Sequence, residues 1–443
     1  MNDNIVIKIP SKKKILIYTQ VIYVCFMLWL RDVVGLPSAI LYLTDIITVL
    51  IIFLQFRDII KGLKTSTIGP QIWIFGLIVA FMLLGAVVNL VNPMLVMWGL
   101  RNQIRFFVFF FLCIALLSKR DVEKLVEMFK VYFWLNVVMM TFQHFVQGYC
   151  DDFLGGFFGV LSGCNAYVCV MLCLITAIVL AEFNSSKVEI GTLLIYCLAC
   201  IYIATLSELK IYFLEIVLIA AVQLLYIKPS KKTVGICITV CVILIAGFSL
   251  VKRYNPVILN VFLDSDAREY YLAGNGYTNS GDLNRLSAIQ ELYAKFFKGD
   301  RLHTLLGFGL GSGDSSSFSF LQSAFYKKYE YLHYRWFTHA WVFLEQGSIG
   351  IILLIAFFIS IVVFIMRTKR KNRTIYDLIV FSFLPTCVIG IIYNNSLELE
   401  SSYLIALVCA VPFIMHKKII CRVSEQTFNA IKDLVKNGTV KVM

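Results

Sequence analysis

Residues 337–366, FTHAWVFLEQGSIGIILLIAFFISIVVFIM, form a long apolar run with few ionisable groups. A transmembrane helix needs about 20 mostly apolar residues, so this stretch is long enough to cross a lipid bilayer. Because the run exceeds a simple span, its first turns are predicted to project from the membrane or to lie tilted. Those turns carry His339, and an ionisable group near membrane depth is costly and by default suggests function.

The composition of the whole chain indicates an integral membrane protein. Of the 443 residues, 59% are hydrophobic and 15% are charged, whereas soluble domains average about 45–50% apolar and about 25% charged residues. The predicted fold is an all-α polytopic membrane protein of about twelve transmembrane helices. The apolar runs that predict these spans are 15–31, 38–56, 70–91, 104–118, 125–146, 165–183, 189–206, 209–227, 233–251, 337–366, 376–393 and 401–416.

The positive charge of the chain, +13 in total, is distributed as an orientation signal. Lys and Arg cluster before the first predicted span, at Lys12–Lys14, and then in every second connection between spans, including RTKRKNR from Arg367. Since cytoplasmic connections of membrane proteins carry this excess, both chain ends are predicted to be cytoplasmic. The charge therefore gives no reason to infer a nucleic-acid partner.

The cysteines indicate neither a metal site nor a cofactor. Most of the 13 cysteines lie within apolar runs, where cysteine behaves as a small apolar residue. Cys197 and Cys200 have the spacing of a metal-binding pair, but no second pair of ligands accompanies them. We therefore expect no metal ligands and no cofactor.

The predicted spans divide the chain into four parts. Residues 1–251 hold the first nine helices, 252–336 form a large hydrophilic external loop, 337–416 hold the last three helices, and 417–443 form a cytoplasmic tail. Within the loop, apolar residues recur at helical spacing from Leu286 to Phe297 and predict one amphipathic helix. The glycine-rich LLGFGLGSGDSSS is predicted to be a loop, and without a preceding strand it is weak evidence for phosphate binding.

Two pairs of charged residues are predicted to lie close to the membrane surface. Glu208 and Lys210 stand at the external junction of the seventh and eighth spans, and Arg101 and Arg105 lie one helical turn apart. Each pair also has a structural interpretation. The first can be a local ion pair within a turn, and the second can extend to the lipid headgroups.

The large loop and the following span contribute three further candidates. Arg285 begins the amphipathic helix, and Arg335 precedes His339 by four residues. A solvated charge is the structural alternative for the arginines, and a packed side chain is the alternative for the histidine. Glu345, Gly347 and Gly350 follow on the same run. Small residues allow helices to pack closely, so the two glycines predict tight packing at the base of this helix. Glu345 either orients a partner group or forms a cap.

A cluster of cations with one imidazole suits a specific reaction. Arginine binds phosphate and stabilises a departing diphosphate, and histidine accepts a proton from a hydroxyl near pH 7. A lipid-linked sugar diphosphate presents its phosphates at headgroup level. The expectation is therefore that the imidazole and the guanidinium groups line one pocket, open to the outside.

Several stretches carry a resemblance to a known family. THAWVFLEQGSIG resembles the His-x-(Asn/Ser/Gln)…Glu-x-Gly-x-x-Gly signature of bacterial O-antigen ligases and O-antigen polymerases. NRLSAIQELYAKFFKGDRLHTLLGFGLGSG is similar to the Arg-led helix and glycine-rich segment of their external loop. WGLRNQIRFF and DDFLGGFFGVLSGCNAY look like polymerase-type segments. The resemblance extends over the whole predicted topology.

The resemblance implies a GT-C-like, metal-independent glycosyltransferase of the bacterial inner membrane, with its active site on the periplasmic face. The donor would be an oligosaccharide on undecaprenyl diphosphate, and other polysaccharide-assembly proteins would be partners. His339 would activate the acceptor, and Arg285 would bind the diphosphate. Lys210 stands where the family has arginine, and Lys lacks the bidentate fork. Trp341 replaces Asn, Ser or Gln and offers a surface for a sugar ring.

Three functions remain open from the sequence. A polymerase transfers the glycan to a lipid-linked repeat unit, and a ligase transfers it to a lipid core or a protein. A flippase or secondary transporter would also fit twelve spans. However, such transporters commonly contain internal repeats with matching broken helices, and the sequence has no such symmetry.

Overall fold

The computed structural model describes residues 14–226, 249, 253, 264–266 and 281–417. Within these residues the chain is helical and contains no β-strand. The predicted ninth span, 233–251, lies outside the described residues except for Ser249. Residues 252, 254–263 and 267–280 of the predicted loop and the tail beyond Lys417 also lie outside them.

Helices of the first half follow one another with short connections. The longest connection, between α5 and α6, includes two 3₁₀ turns at Asp151–Phe153 and Gly156–Phe158. The helices are α1 (Ile15–Asp32), α2 (Leu43–Lys64), α3 (Gly69–Val88), α4 (Pro93–Leu116), α5 (Lys119–Phe145), α6 (Cys164–Asn184), α7 (Ile190–Leu206) and α8 (Lys210–Tyr226).

The second half begins with short helices and ends with long apolar ones. The predicted amphipathic helix is confirmed over residues 288–297, where an α-helical turn continues as a π-helical turn at Tyr293–Phe297 and buries Phe297. The helices are α9 (Ala288–Leu292), α10 (Arg301–Leu306), α11 (Ala324–Tyr329), α12 (Thr338–Arg367), α13 (Ile375–Tyr393) and α14 (Ser402–Met415).

Eight of these helices are long and apolar enough to cross a membrane: α1 to α6, α12 and α13. Many of their apolar side chains face outward; Phe53 is 81% exposed and Trp73 is 77% exposed. Such large exposed apolar surfaces are stable in lipid rather than in water. The chain is therefore an all-α, multi-pass membrane protein.

The centre of the bundle is α6, which is buried on all sides. In its most apolar window, 94% of the residues are buried, and the helix packs against α5, α7, α8 and α13. A helix that is apolar all round is expected in such an interior position. Elsewhere in the bundle, α4 packs against α2 and α14, and α12 packs against α3.

The start of α4 differs from the sequence prediction. The predicted span began at residue 104, whereas the helix begins at Pro93, with the Asn92 side chain accepting a hydrogen bond from the Met94 amide. The polar stretch RNQIR is thus inside the helix. Its polar groups find partners elsewhere in the protein: Arg105 pairs with Glu400, and Asn102 donates to Asp314.

The first turns of α12 bend away from the rest of the helix at Gly347. This glycine has φ +63, and a Cβ atom there would lie 2.3 Å from the carbonyl group of Leu305 in α10. The predicted close packing is therefore confirmed at Gly347. At Gly350 the crowding comes instead from Gln346 and Val342 of the same helix.

The glycine-rich loop after α10 packs against the start of α12. The amides of Phe308 and Gly309 donate to the carbonyls of Leu344 and Glu345, and the Gly313 amide donates to the Glu345 carboxyl oxygen Oε1 at 2.9 Å. Glu345 thus orients this loop. These backbone amides hold the loop in place and are not presented to a phosphate.

Candidate functional site

A polar cavity of about 560 Å³, here the Arg285 cavity, lies among the described residues. It lies where the α5–α6 connection and the α7–α8 turn meet the segment before α9 and the end of α13. Three of the sequence-predicted site residues, Glu208, Lys210 and Arg285, come together here. The other lining residues are Asp151, Asp152, Ser162, Gly163, Asn165, Ala166, Cys169, Leu209, Ile211, Trp336, Phe337, Tyr393, Asn394, Asn395 and Leu399.

Arg285 is held at the cavity wall by backbone and aromatic contacts. Its Nε donates a hydrogen bond to the Tyr393 carbonyl at 3.2 Å. Its guanidinium group lies 4.3 Å from the centre of the Tyr393 ring and 5.5 Å from that of Phe337. A guanidinium group stacks on aromatic rings in a way that an ammonium group does not. A lysine at position 285 would therefore not hold its charge in the same place.

The second cation of the cavity, Lys210, faces carboxyl groups. Its Nζ lies 3.8 Å from Glu208 Oε2, so the local ion pair considered from the sequence is present, and both residues also line the cavity. Asp152 accepts a hydrogen bond from Asn165. Burial raises the pKa of Asp152, although the charges of Arg285 and Lys210 oppose that rise.

Asp151 and Glu208 form a carboxyl pair from two separate loops. Both have left-handed backbone conformations, with φ +53 and +51; such strain at non-glycine residues is concentrated at functional sites. Their side chains are hydrogen bonded to each other, and burial together with this bond and the charge of Asp151 raises the pKa of Glu208 to about 7. Asp151 and Asp152 were not predicted as site residues from the sequence, although both lie in the DDFLGG segment of the resemblance.

His339 lies in the wall beside this cavity and does not line it. The residue is 5% exposed; Nδ1 lies 3.1 Å from the Ile391 carbonyl, and the ring also bonds the backbone of Arg285. The sequence predicted one pocket lined by both the imidazole and Arg285. Arg285 lines the cavity and His339 does not, so the prediction is wrong for the imidazole. The imidazole contacts the chain that carries Arg285 rather than the open space in front of it.

The three remaining sequence-predicted arginines meet in a second cavity of about 360 Å³, the Arg101 cavity. The single pocket predicted from the sequence is therefore divided into two cavities. Ser162 and Gly163 of the α5–α6 connection and Leu399 line both cavities, so these residues lie between them. Other residues lining the Arg101 cavity are Leu28, Arg31, Asp32, Ser38, Leu41, Tyr42, Trp98, Arg101, Asn102, Arg105, Leu161, Cys164, Tyr167, Ser315, Ser316, Ser317, Arg335, Glu398 and Glu400.

Each sequence-predicted arginine of the Arg101 cavity has a carboxylate partner. Arg101 pairs with Asp45, and its guanidinium lies 5.0 Å from the Tyr42 ring centre and 4.8 Å from that of Trp98. Arg105 Nη1 lies 2.9 Å from Glu400 Oε1. With the side chain buried and paired, Arg105 does not extend to the lipid headgroups.

Arg335 lines the Arg101 cavity and also packs on Trp341, which does not. Arg335 lies 3.3 Å from Asp314 and 4.3 Å from the centre of the Trp341 ring. Trp341 is 1% exposed and lines neither cavity. The sugar-stacking surface expected at position 341 is therefore covered, because the ring packs within the protein beneath Arg335.

The fold and the site define a multi-pass helical membrane protein in which two polar cavities adjoin. The Arg285 cavity holds a guanidinium, an ammonium and carboxyl groups. The Arg101 cavity holds arginines that are paired with carboxylates. Comparison of the chain with protein-family profiles and with characterised proteins finds no match.

Proposed function

We propose that the protein is a surface-polysaccharide polymerase that transfers a glycan from undecaprenyl diphosphate to a lipid-linked repeat unit. The observation that carries the proposal is the Arg285 cavity, in which Arg285 and Lys210 face carboxyl groups beside the ends of apolar helices. The motif resemblance in the external loop and in α12 supports the same reaction. A ligase that transfers the glycan to a lipid core or protein is the alternative, because it uses the same donor.

The proposed setting is the bacterial inner membrane, with about twelve spans and the site on the periplasmic face. The alternation of Lys and Arg between connections supports this orientation. In this setting the loops of the Arg285 cavity lie at headgroup level, where the diphosphate of an undecaprenyl-linked donor resides. The GT-C-like topology of the resemblance agrees with this arrangement.

In the proposed reaction an acceptor hydroxyl attacks the anomeric carbon of the donor sugar. The bond from that carbon to the phosphate oxygen breaks, and undecaprenyl diphosphate leaves with the bonding electrons. Arg285 and Lys210 stabilise the charge on the leaving diphosphate. The hydroxyl proton passes to a base in the protein.

The Arg101 cavity is proposed to bind the acceptor glycan. Its arginines are paired with carboxylates, so it suits sugar hydroxyl groups better than a free diphosphate. Tyr42, Trp98 and the serines 315–317 add aromatic edges and hydroxyl groups. Two adjoining cavities support a transfer between two glycans and do not favour a transporter, which carries one substrate along one path.

The proposed polymerase is tested with purified protein and a purified lipid-linked repeat unit as the only substrate. We expect a ladder of longer lipid-linked products on a gel, because the repeat serves as both donor and acceptor. Product that forms only after addition of a second acceptor would establish the ligase alternative. Absence of any glycan transfer with either acceptor set would contradict both transferase functions.

The proton acceptor can be identified from the pH dependence of the same reaction. His339 is the base predicted from the sequence, whereas the geometry favours Glu208, which lines the cavity. A carboxyl group accepts a proton only when ionised, so the rate is expected to rise with pH through about 7, the raised pKa of Glu208.

Glu208→Gln should abolish that rise and lower the rate by about 10²–10⁴-fold, the usual contribution of a general base. Asp151→Asn, which removes a neighbouring negative charge, should shift the rise to lower pH. If the rise persists in Glu208→Gln and disappears in His339→Gln, the imidazole is the base, as the sequence predicted.

A further inference from the structure

Two cysteines and a glutamate meet between α6 and α8. Cys169 and Cys173 are four residues apart on α6 and therefore lie on one face of that helix. Both Sγ atoms lie 3.0 Å from the same carboxyl oxygen, Oε2 of Glu215 on α8. These ligand atoms all lie within 4.8 Å of one another, and among the described residues this is the one group of three such side chains that could hold a metal ion.

The carboxyl group of Glu215 is poorly satisfied in the absence of a cation. It is 4% exposed and lies within apolar helices, and its hydrogen-bond partners among the described residues are the two thiols. Thiols are weak donors, and a buried carboxyl group is costly without strong partners or a cation. From the sequence alone these cysteines are interpreted as small packing residues of an apolar run, and Glu215 is more than 40 residues away along the chain.

We propose that Cys169, Cys173 and Glu215 form a binding site for a divalent cation of the zinc class. Two thiolates and one carboxylate match the ligands of Zn²⁺, whereas Mg²⁺ and Ca²⁺ prefer oxygen ligands alone. Tetrahedral coordination would separate each sulfur from the carboxyl oxygen by about 3.6 Å. The side chains would therefore move apart by roughly 0.6 Å on binding, which rotation about the side-chain bonds permits.

The site has a route to solvent, and three protein ligands leave the fourth position of a tetrahedral ion to another ligand. Cys169 lines the Arg285 cavity, so an ion entering from that cavity reaches this residue, and a water molecule would complete the coordination. Ligation displaces the protons of the two thiols. Affinity is therefore expected to rise with pH. The site involves no step of the glycosyl transfer, and the proposal does not depend on that reaction.

The test uses the full-length protein purified in lipid nanodiscs. Metal content is measured by mass spectrometry after exposure to Zn²⁺ and removal of free ion, and Co²⁺ is titrated while sulfur-to-metal charge-transfer absorption is recorded. We expect one equivalent of metal and a charge-transfer band. The double variant Cys169→Ser/Cys173→Ser should lose both, and Glu215→Gln should weaken binding by at least about tenfold, as loss of one ligand implies.

The matched control is Cys197→Ser/Cys200→Ser on α7, which removes two buried cysteines outside the group and should keep full metal content. The titration of the unaltered protein is decisive even if a variant does not fold. The proposal is overturned if the unaltered protein retains no Zn²⁺ and gives no Co²⁺ band, or if the Cys169→Ser/Cys173→Ser variant binds as well as the control. Because these readouts require no glycan, a failure of the polymerase proposal would leave them unaffected.

Discussion

Replacing Arg285 by alanine is expected to lower the rate of glycan transfer by about 10²–10³-fold, the typical cost of removing one group that stabilises a developing anion. Arg285 supplies the guanidinium group of the Arg285 cavity. Without it, Lys210 faces the leaving diphosphate with its charge already shared with Glu208, 3.8 Å away. Protein insertion and folding should be preserved, since the side chain lies at the edge of a cavity.

Arg285→Lys separates charge from geometry. Lysine keeps the positive charge but loses the planar fork and the stacking on Tyr393, so we expect only partial recovery of the rate. Arg301→Ala is the matched control, because Arg301 is exposed and lines neither cavity. A fully active Arg285→Ala protein, measured by product ladders from the purified repeat unit, would remove the guanidinium group from the mechanism.

Replacing Arg105 by alanine is expected to destabilise the folded protein by about 3–5 kcal/mol, because removal of one partner leaves a buried charge uncompensated. Arg105 is 8% exposed, and its partner Glu400 also accepts a hydrogen bond from the Tyr167 hydroxyl at 3.0 Å. Burial raises the pKa of Glu400, but the charge and hydrogen bond of Arg105 outweigh burial and hold the pKa below its usual value. Glu400 is therefore ionised at neutral pH and depends on this partner.

The free energies of unfolding of the unaltered and Arg105→Ala proteins are compared by denaturant unfolding in mixed micelles. Arg101→Ala, one turn away on the same helix, serves as control, since its ion pair with Asp45 is about one-quarter exposed on each side and should contribute about 0–1 kcal/mol. Adding Glu400→Gln to Arg105→Ala should recover part of the loss, because the buried charge is then gone. Equal stability of the Arg105→Ala and Arg101→Ala proteins would show that the Arg105 pair is effectively hydrated.

Several helices could be predicted closely from hydropathy alone. The apolar runs 165–183 and 376–393 correspond to α6 (Cys164–Asn184) and α13 (Ile375–Tyr393) within one residue at each end. The failure at α4 has a definite cause. Its polar residues interrupt the apolar run, and their partners Glu400 and Asp314 are more than 200 residues away along the chain.

The candidate site was predictable in its residue types more than in its arrangement. Glu208, Lys210 and Arg285 could be selected because charge near the membrane is costly, and the structure brings them into one cavity. The carboxyl pair of Asp151 and Glu208 could not be selected, because it depends on two left-handed turns meeting. Nor does sequence reveal that His339 faces backbone groups.

Local properties of the chain are enough to identify a multi-pass helical membrane protein. The length and apolarity of each segment dictate helices that cross a bilayer, and both can be read without reference to distant residues. The division of the charged groups into an Arg285 cavity and an Arg101 cavity has a different origin. It arises from packing of the α5–α6 connection and Leu399 between elements far apart in the chain, and such long-range contacts leave no periodic signal in the order of residues.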